Sequence, residues 1–198
     1  MNDDFTLDKL DKSIRRLIQR GSEFNKTNEF ISIPEKIPTN LHKIINSPEF
    51  IQSKEKFNNW FLQIIKENKI PYEINGLYFG LFETTFKKIF KRKQTIAIHL
   101  IGSFSWDQND SDWACDEDFV PEKKFIYLEI MEEIYNNENI NIYTKCFLAL
   151  AIMFLYLKEF FETQNNIKFI TNNSLYIATG FDDGDLYNLF KVETQNNL

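Results

Sequence analysis

The sequence is poor in the residues that mark several common functional classes. It has two cysteines, two histidines and six glycines among 198 residues. Cys115 and Cys146 are too few for a disulfide scaffold, which favours a reducing compartment. His42 and His99 lie far apart and no Cys-x-x-Cys motif is present, so the pattern predicts no zinc site. The chain also has no Gly-rich phosphate loop and no Gly-x-Ser-x-Gly elbow.

Long apolar segments are absent as well. The longest apolar run is "CFLALAIMFLYL", which covers 12 residues from Cys146 to Leu157, whereas crossing a bilayer needs about 20. The N-terminus "MNDDFTLDKLDKSIRR" has no apolar core, so we do not expect a signal peptide. Together with the low cysteine content, this predicts a cytoplasmic protein that does not associate with membranes.

Four stretches have the spacing or composition of helices. Apolar residues at helical spacing follow Thr6 and end near Gly21, and Ser47-Pro48 opens a second helix that should stop near Asn68. The segments "FIYLEIMEEIYNN" and "TKCFLALAIMFLYLKEFFETQNN" predict two more helices, the second apolar almost all round and therefore central to the core. Between the first two helices, "ISIPEKIPTN" has two prolines and predicts an irregular connection.

Two pairs of strands are also predicted. "GLYFGLFETTF" and "QTIAIHLIGSF" flank the polar "KKIFKRK", and "SLYIATGF" and "DLYNLFKV" flank Asp182-Asp183-Gly184, a strong hairpin signal. We therefore predict a single α+β domain in which antiparallel strands have helices packed on one face. Its parts are a mainly helical region 1–70, a β-hairpin 71–105, helices 125–164 and a β-hairpin 174–192.

Charge is distributed unevenly along the chain. Residues 1–103 include 17 basic and 12 acidic residues, whereas 104–198 include 6 basic and 17 acidic ones. Such asymmetry steers association with charged partners. The basic segment 87–93 could contact a nucleic-acid backbone, but the chain has a pI near 5.1 and its acidic half would repel phosphates. We therefore expect no nucleic-acid partner and interpret 87–93 as a solvated hairpin tip.

The densest acidic stretch is "FSWDQNDSDWACDEDF", residues 104–119, in which six carboxylates alternate with aromatic side chains. A calcium loop starting at Asp107 would need glycine at its sixth position, where Asp112 stands. A nucleophilic role for Cys115 with His99 as base is disfavoured, because neighbouring carboxylates raise the pKa of a thiol. We therefore predict no metal, no cofactor and no catalytic residue.

If residues 110–119 are extended, side chains alternate between two faces. Trp113, Cys115 and Phe119 would then anchor the strip on the core, while the even-numbered residues, most of them aspartates, point outward. This interpretation predicts a buried Trp113 beneath an acidic surface. The predicted binding residues of this stretch are Asp107, Asp110, Asp112, Trp113, Asp116, Glu117 and Asp118.

A second acidic group, Asp182, Asp183 and Asp185, lies at the predicted hairpin turn. Asp and Gly are also what a tight turn requires, so a binding role for these residues depends on their lying near the first group. They complete the set of predicted binding residues.

In outline the chain resembles bacterial immunity proteins encoded beside polymorphic or contact-delivered toxins. The features that carry the resemblance are the small size, the α+β pattern, the acidic character, "DSDWACDEDF" and "GFDDGD". The resemblance implies that an acidic face covers the basic active site of a toxin, and complementary charge supports such a mechanism. The alternative function is a carboxylate- or metal-dependent hydrolase that uses the same acidic cluster.

Overall fold

The computed structural model describes residues 6–21, 41–68, 70–88, 91–163 and 174–193. Within these ranges the chain forms five α-helices, one short 3₁₀ helix and five β-strands. In chain order the elements are α1 (Leu7–Gly21), α2 (Leu41–Ile45), α3 (Pro48–Asn68), β1 (Gly76–Lys88), β2 (Lys91–Ser103), the 3₁₀ helix (Asp112–Cys115), β3 (Phe125–Tyr127), α4 (Glu129–Tyr135), α5 (Ile142–Thr163), β4 (Leu175–Phe181) and β5 (Leu186–Val192).

The strands form one mixed sheet in the order β3-β2-β1-β4-β5. The predicted α+β class is confirmed, and both predicted hairpins are present as β1–β2 and β4–β5. The sheet is not antiparallel throughout, because β1 and β4 pair in parallel with Gly76 opposite Tyr176. Parallel neighbours need a long crossover connection, and the chain between these two strands supplies one that includes α4 and α5.

Two helices begin and end close to the predicted positions. Helix α1 follows Thr6 and ends at Gly21. Helix α3 begins at Pro48 and ends at Asn68, and the Ser47 hydroxyl accepts a hydrogen bond from the Phe50 N–H at 3.1 Å. Ser47 is therefore the N-cap of α3, as its position before proline predicted.

One predicted helix boundary is wrong. The stretch that begins at Phe125 forms strand β3 first, and helix α4 starts only at Glu129. The first three residues of this stretch, Phe125–Tyr127, are of types that favour strands. They pair with β2, and the helical spacing of the apolar residues becomes effective only after them. The irregular connection predicted for 31–40 and residues 89–90 of the first hairpin tip lie outside the described residues.

The fold separates into two compact units. Unit 1 comprises Met1–Lys56, Glu83–Ile96 and Tyr127–Glu159, and unit 2 comprises Phe57–Phe82, Ala97–Ile126 and Phe160–Leu198. The division passes through α3, α5, β1, β2 and β3, whereas domain boundaries fall in exposed linkers. This continuity agrees with the single domain that the sequence predicts.

Unit 1 is built around α5. Residues 147–157 of this helix are all buried, which confirms the central helix predicted from its apolar composition. The Tyr156 hydroxyl donates to the Phe50 carbonyl at 2.8 Å, and the Ile130 N–H donates to the Ser53 hydroxyl at 3.1 Å. These buried contacts join α5 and α4 to the first turns of α3.

No helix in the described part of the chain has the length and apolar character to cross a bilayer.

Unit 2 uses both faces of the sheet. On one face, Phe79 of β1 contacts Phe57 and Phe61 of α3 at ring distances of 6.0 and 5.1 Å, and Phe61 contacts Phe160 of α5 at 4.7 Å. Side chains of a strand alternate between faces, so Tyr78 and Gly80 belong to the opposite face. That opposite face carries the acidic residues predicted to bind a partner.

Candidate functional site

The segment after β2 forms a closed surface loop, called here the acidic loop (residues 104–118). At its base, Gly102 and Phe119 exchange two backbone hydrogen bonds of 2.8 and 2.9 Å. One step further in, the Asp118 carboxylate accepts the Phe104 N–H at 2.8 Å. Compact surface loops whose ends meet in this way often have functional roles.

Other carboxylates of the acidic loop shape its interior. Asp107 and Asp110 each accept the backbone N–H two residues further on, at 2.8 and 2.9 Å. Aspartates favour such turns over regular strand because the side chain replaces a backbone acceptor. Asp116 accepts the Ser105 hydroxyl at 2.9 Å. Four predicted binding residues thus also stabilise the loop that carries them.

The predicted extended conformation of 110–119 is wrong. The two aspartate turns lead into the 3₁₀ helix Asp112–Cys115, so side chains do not alternate between two faces. Ala114, expected to point outward, is buried, and Cys115, expected to anchor the strip, is exposed. The anchoring roles of Trp113 and Phe119 are retained, since both are buried.

Aromatic residues fix the acidic loop to the sheet. Trp113 is only 3% exposed, which confirms its predicted burial and shows that it does not itself contribute to the surface. Its ring lies against Gly76, where an added Cβ would approach it to 2.5 Å. Trp106 stacks on Tyr176 with a ring distance of 3.5 Å and an interplanar angle of 5°. The buried cluster beneath the loop consists of Tyr78, Ile101, Trp113, Ala114 and Ala178.

Beside this cluster lies a polar group that the sequence did not predict. Nε2 of His99 is 2.7 Å from Oδ1 of Asp182, and the Tyr78 hydroxyl donates to the same oxygen at 3.4 Å. The pair crosses strand β1 at Gly80, where an added Cβ would lie 1.9 Å from His99 Nε2 and 2.6 Å from Asp182 Oδ1. Glycine at position 80 is therefore required for this close approach.

The phenol of Tyr78 stays protonated in this environment. Burial raises the pKa of Tyr78 far above its ordinary value, and the charge and hydrogen bond of Asp182 raise it further. A buried phenol favours its neutral form because burial penalises charge. Tyr78 therefore acts as a hydrogen-bond donor to Asp182.

The two acidic groups meet at an open cleft of about 390 Å³. Asp112 and Glu117 reach it from the acidic loop, and Asp182 reaches it from the β4–β5 turn. The structure thus supplies the proximity on which a binding role for the second group depended. The full lining is Tyr78, His99, Ile101, Ser111, Asp112, Ala114, Cys115, Glu117, Phe181, Asp182, Gly184 and Leu186.

The remaining predicted carboxylates do not line the cleft. They are nevertheless all exposed, so they contribute charge to the surface around it rather than direct contacts within it. These residues are Asp107, Asp110, Asp116, Asp118, Asp183 and Asp185.

Exposed carboxylates at this site differ in whether they already have a partner. Glu117 lies 3.5 Å from the ammonium group of Lys124. Among the described residues, the side chains of Asp112, Asp183 and Asp185 make no hydrogen bond or ion pair. The charges of these three aspartates are therefore uncompensated and available to a partner.

No cluster of three or more histidine, cysteine or carboxylate side chains that could hold a metal ion occurs in the described part of the chain. In the stretch that was considered as a calcium loop, Oδ1 of Asp107 and Oδ1 of Asp110 each accept a backbone N–H. Both oxygens thus serve turns of the loop.

Comparison with known proteins adds no relative. A scan against protein-family models, a search of curated proteins and a search of solved structures each found no match to this chain.

Proposed function

We propose that this protein binds a basic protein partner through the acidic surface formed by the acidic loop and the β4–β5 turn, and that it acts as an immunity protein that neutralises a toxin. The observation that carries the proposal is the convergence of Asp112, Glu117 and Asp182 on one cleft. Two segments separated by more than sixty positions in the sequence contribute the same charge to a single concave site.

Two further properties suit this surface to rapid and specific binding. The uncompensated charges of Asp112, Asp183 and Asp185 create a field that increases the rate of association with a basic partner. The acidic loop is already ordered by Trp113 and by the hydrogen bond between Asp118 and Phe104. A preformed loop loses little conformational freedom on binding, which favours affinity.

The test measures association kinetics with the product of the gene adjacent to that of this protein. The variant combines Asp112→Asn, Asp183→Asn and Asp185→Asn, which removes three charges whose side chains make no hydrogen bond or ion pair within the described residues. We expect the association rate constant at low salt to fall by about tenfold or more, as steering effects do. The difference should shrink at high salt, where screening removes the field. A parallel assay of toxin activity measures neutralisation directly.

A matched control removes the same number of charges elsewhere. Glu55, Glu73 and Glu133 are exposed and make no hydrogen bond or ion pair within the described residues, so their replacement by glutamine should change the association rate much less. Equal effects of the two triple variants would show that net charge alone governs binding. An unchanged rate in both would refute the acidic surface as the interface.

The hydrolase alternative has one observation in its favour, the His99–Asp182 pair at an open cleft. General acid catalysis by a carboxyl requires burial that keeps it protonated, whereas the carboxylates of the acidic loop are exposed. A screen of phosphodiester and ester substrates, with Asp182→Asn as the comparison, tests this function. Turnover that is lost in the variant would support it over the interaction protein.

A further inference from the structure

The cleft combines an apolar wall with carboxylates at its rim. A side chain that complements it needs an aliphatic portion for the wall and a cation for the rim. Long basic side chains have this composition, since they bury the stem and keep the charged end among polar groups. The apolar lining consists of Ile101, Ala114, Phe181 and Leu186.

Asp182 is held in place before any partner arrives. Its Oδ1 contacts both His99 and Tyr78. These two residues are buried, with exposed fractions of 8% for His99 and 6% for Tyr78. Its Oδ2 has no hydrogen-bond partner among the described residues, and the side chain is 46% exposed. One oxygen thus fixes the carboxylate and the other is available to a ligand. The missing Cβ of Gly80 makes this arrangement possible.

The number of available oxygens on the anchoring carboxylate, Asp182, favours lysine over arginine. The guanidinium group of arginine pairs best with two oxygens of one carboxylate, but Oδ1 of Asp182 is already engaged twice. The ammonium group of lysine has three N–H donors, and each can donate a hydrogen bond to a single oxygen of a different carboxylate. Asp112 reaches the cleft from the acidic loop and supplies a second carboxylate.

We propose that this cleft is the pocket for one lysine side chain of the basic partner, with Asp182 as the anchoring carboxylate. The proposal rests on the proposed function, because it names the group that the acidic surface recognises. It adds a single anchoring contact to a surface whose other charges act mainly over distance.

The experiment titrates ¹⁵N-labelled protein with Nα-acetyl-lysine N-methylamide and follows the backbone amide signals of Asp182, Cys115 and Asp112. We expect saturable shifts that are confined to the cleft. The norleucine analogue, which keeps a linear apolar stem without the charge, should bind about tenfold more weakly, the change equivalent to about 1.4 kcal/mol. The arginine analogue should also bind more weakly than the lysine compound.

Four variants distinguish a binding pocket from a general electrostatic field. Asp182→Asn keeps an oxygen for His99 and Tyr78 but removes the charge, and should weaken the lysine analogue about tenfold. Asp183→Asn removes the neighbouring charge and should weaken it by less than about threefold. Glu73→Gln, at a residue that does not line the cleft, should have much the smallest effect. Asp112→Asn tests the other rim of the cleft and should also weaken binding.

Several results would overturn the pocket. They are the absence of saturable shifts, tighter binding of the arginine analogue, and equal losses in Asp182→Asn and Asp183→Asn. The proposed function is judged separately by the adjacent gene product. Asp182→Asn could bind that protein as tightly as the parent while the variant with Asp112, Asp183 and Asp185 replaced is impaired. This result would support the acidic surface as the interface and would refute the lysine pocket.

Discussion

The acidic loop and the β4–β5 turn are both rich in aspartate, yet their carboxylates have different tasks. In the loop, Asp107, Asp110 and Asp118 accept backbone N–H groups and so determine its path. In the turn, Asp183 and Asp185 are exposed and their side chains make no hydrogen bond or ion pair within the described residues. Exposure is similar in the two regions, so it does not reveal which carboxylates the fold depends on.

The comparison shows how a dense negative charge is held at a protein surface. Repulsion between neighbouring carboxylates opposes such an arrangement. The acidic loop offsets that cost with buried aromatic contacts and with hydrogen bonds from backbone donors. The turn needs less support because a tight Asp-Gly hairpin already favours its residues. Stabilising and recognising roles can therefore be separated by mutation.

The largest expected effect concerns the aromatic anchor of the loop. Trp113→Ala should lower the free energy of unfolding by about 3–5 kcal/mol, as loss of a large buried aromatic does. Chemical denaturation measures this loss. Trp106→Ala should cost less, because Trp106 is only partly buried. Equal small losses for both would show that the loop does not depend on Trp113.

A smaller loss should follow from a methyl group beneath the His99–Asp182 pair. Gly80→Ala places a Cβ 1.9 Å from His99 Nε2, and relief of such a clash typically costs about 1–3 kcal/mol. Gly184→Ala is the matched control in the adjoining turn, because its Cβ would meet only ordinary contacts at 3.4 Å or more. A tolerated Gly80→Ala would mean that the close approach is not required.

Replacement of single aspartates tests the comparison directly. Asp118→Ala removes the acceptor of the Phe104 N–H and should cost about 1–2 kcal/mol in unfolding free energy. Asp183→Ala should change it by less than about 0.5 kcal/mol. Thermal and chemical denaturation of the two variants give the measurement. The distinction between the two regions fails if the two losses are equal.

The smallest effect is a pH dependence that links Tyr78 to the turn. Because the pKa of Tyr78 is raised in the folded state from 10.0, its contribution is complete below about pH 10 and is lost as pH rises above that value. At about pH 11 the loss should be about 1.4 kcal/mol. Tyr78→Phe should reduce the fall in stability between pH 9 and 11. A variant with the parent slope would contradict this assignment.

Much of the fold follows from local sequence signals. Ser47-Pro48 predicted the start of α3, and Asp182-Asp183-Gly184 predicted the last hairpin, because capping and turn preferences act within a few residues. The burial of Trp113 was also predictable, because a tryptophan side chain has a large apolar surface whose removal from water is favourable. The extended conformation predicted for residues 110–119 was wrong because the side chains of Asp107 and Asp110 form local turns that lead into a 3₁₀ helix.

The polar centre of the site was not predictable in the same way. His99 belongs to the first hairpin and Asp182 to the second. No motif in the sequence around either residue indicates that the two side chains contact each other. Their contact depends on the parallel pairing of β1 with β4 and on the absence of a side chain at Gly80. The one signal available in the sequence was a glycine within a strand, which often marks the close approach of another group.

The closed base of the acidic loop has a consequence for how such a protein can diversify. Because Gly102 and Phe119 pair with each other through backbone hydrogen bonds, the two ends of the acidic loop are held together whatever residues lie between them. Doubling the length of a flexible loop costs only about 0.6 kcal/mol in closure entropy. New residues can therefore be exchanged or added between these ends, and partner preference can change while the sheet that supports the loop stays the same.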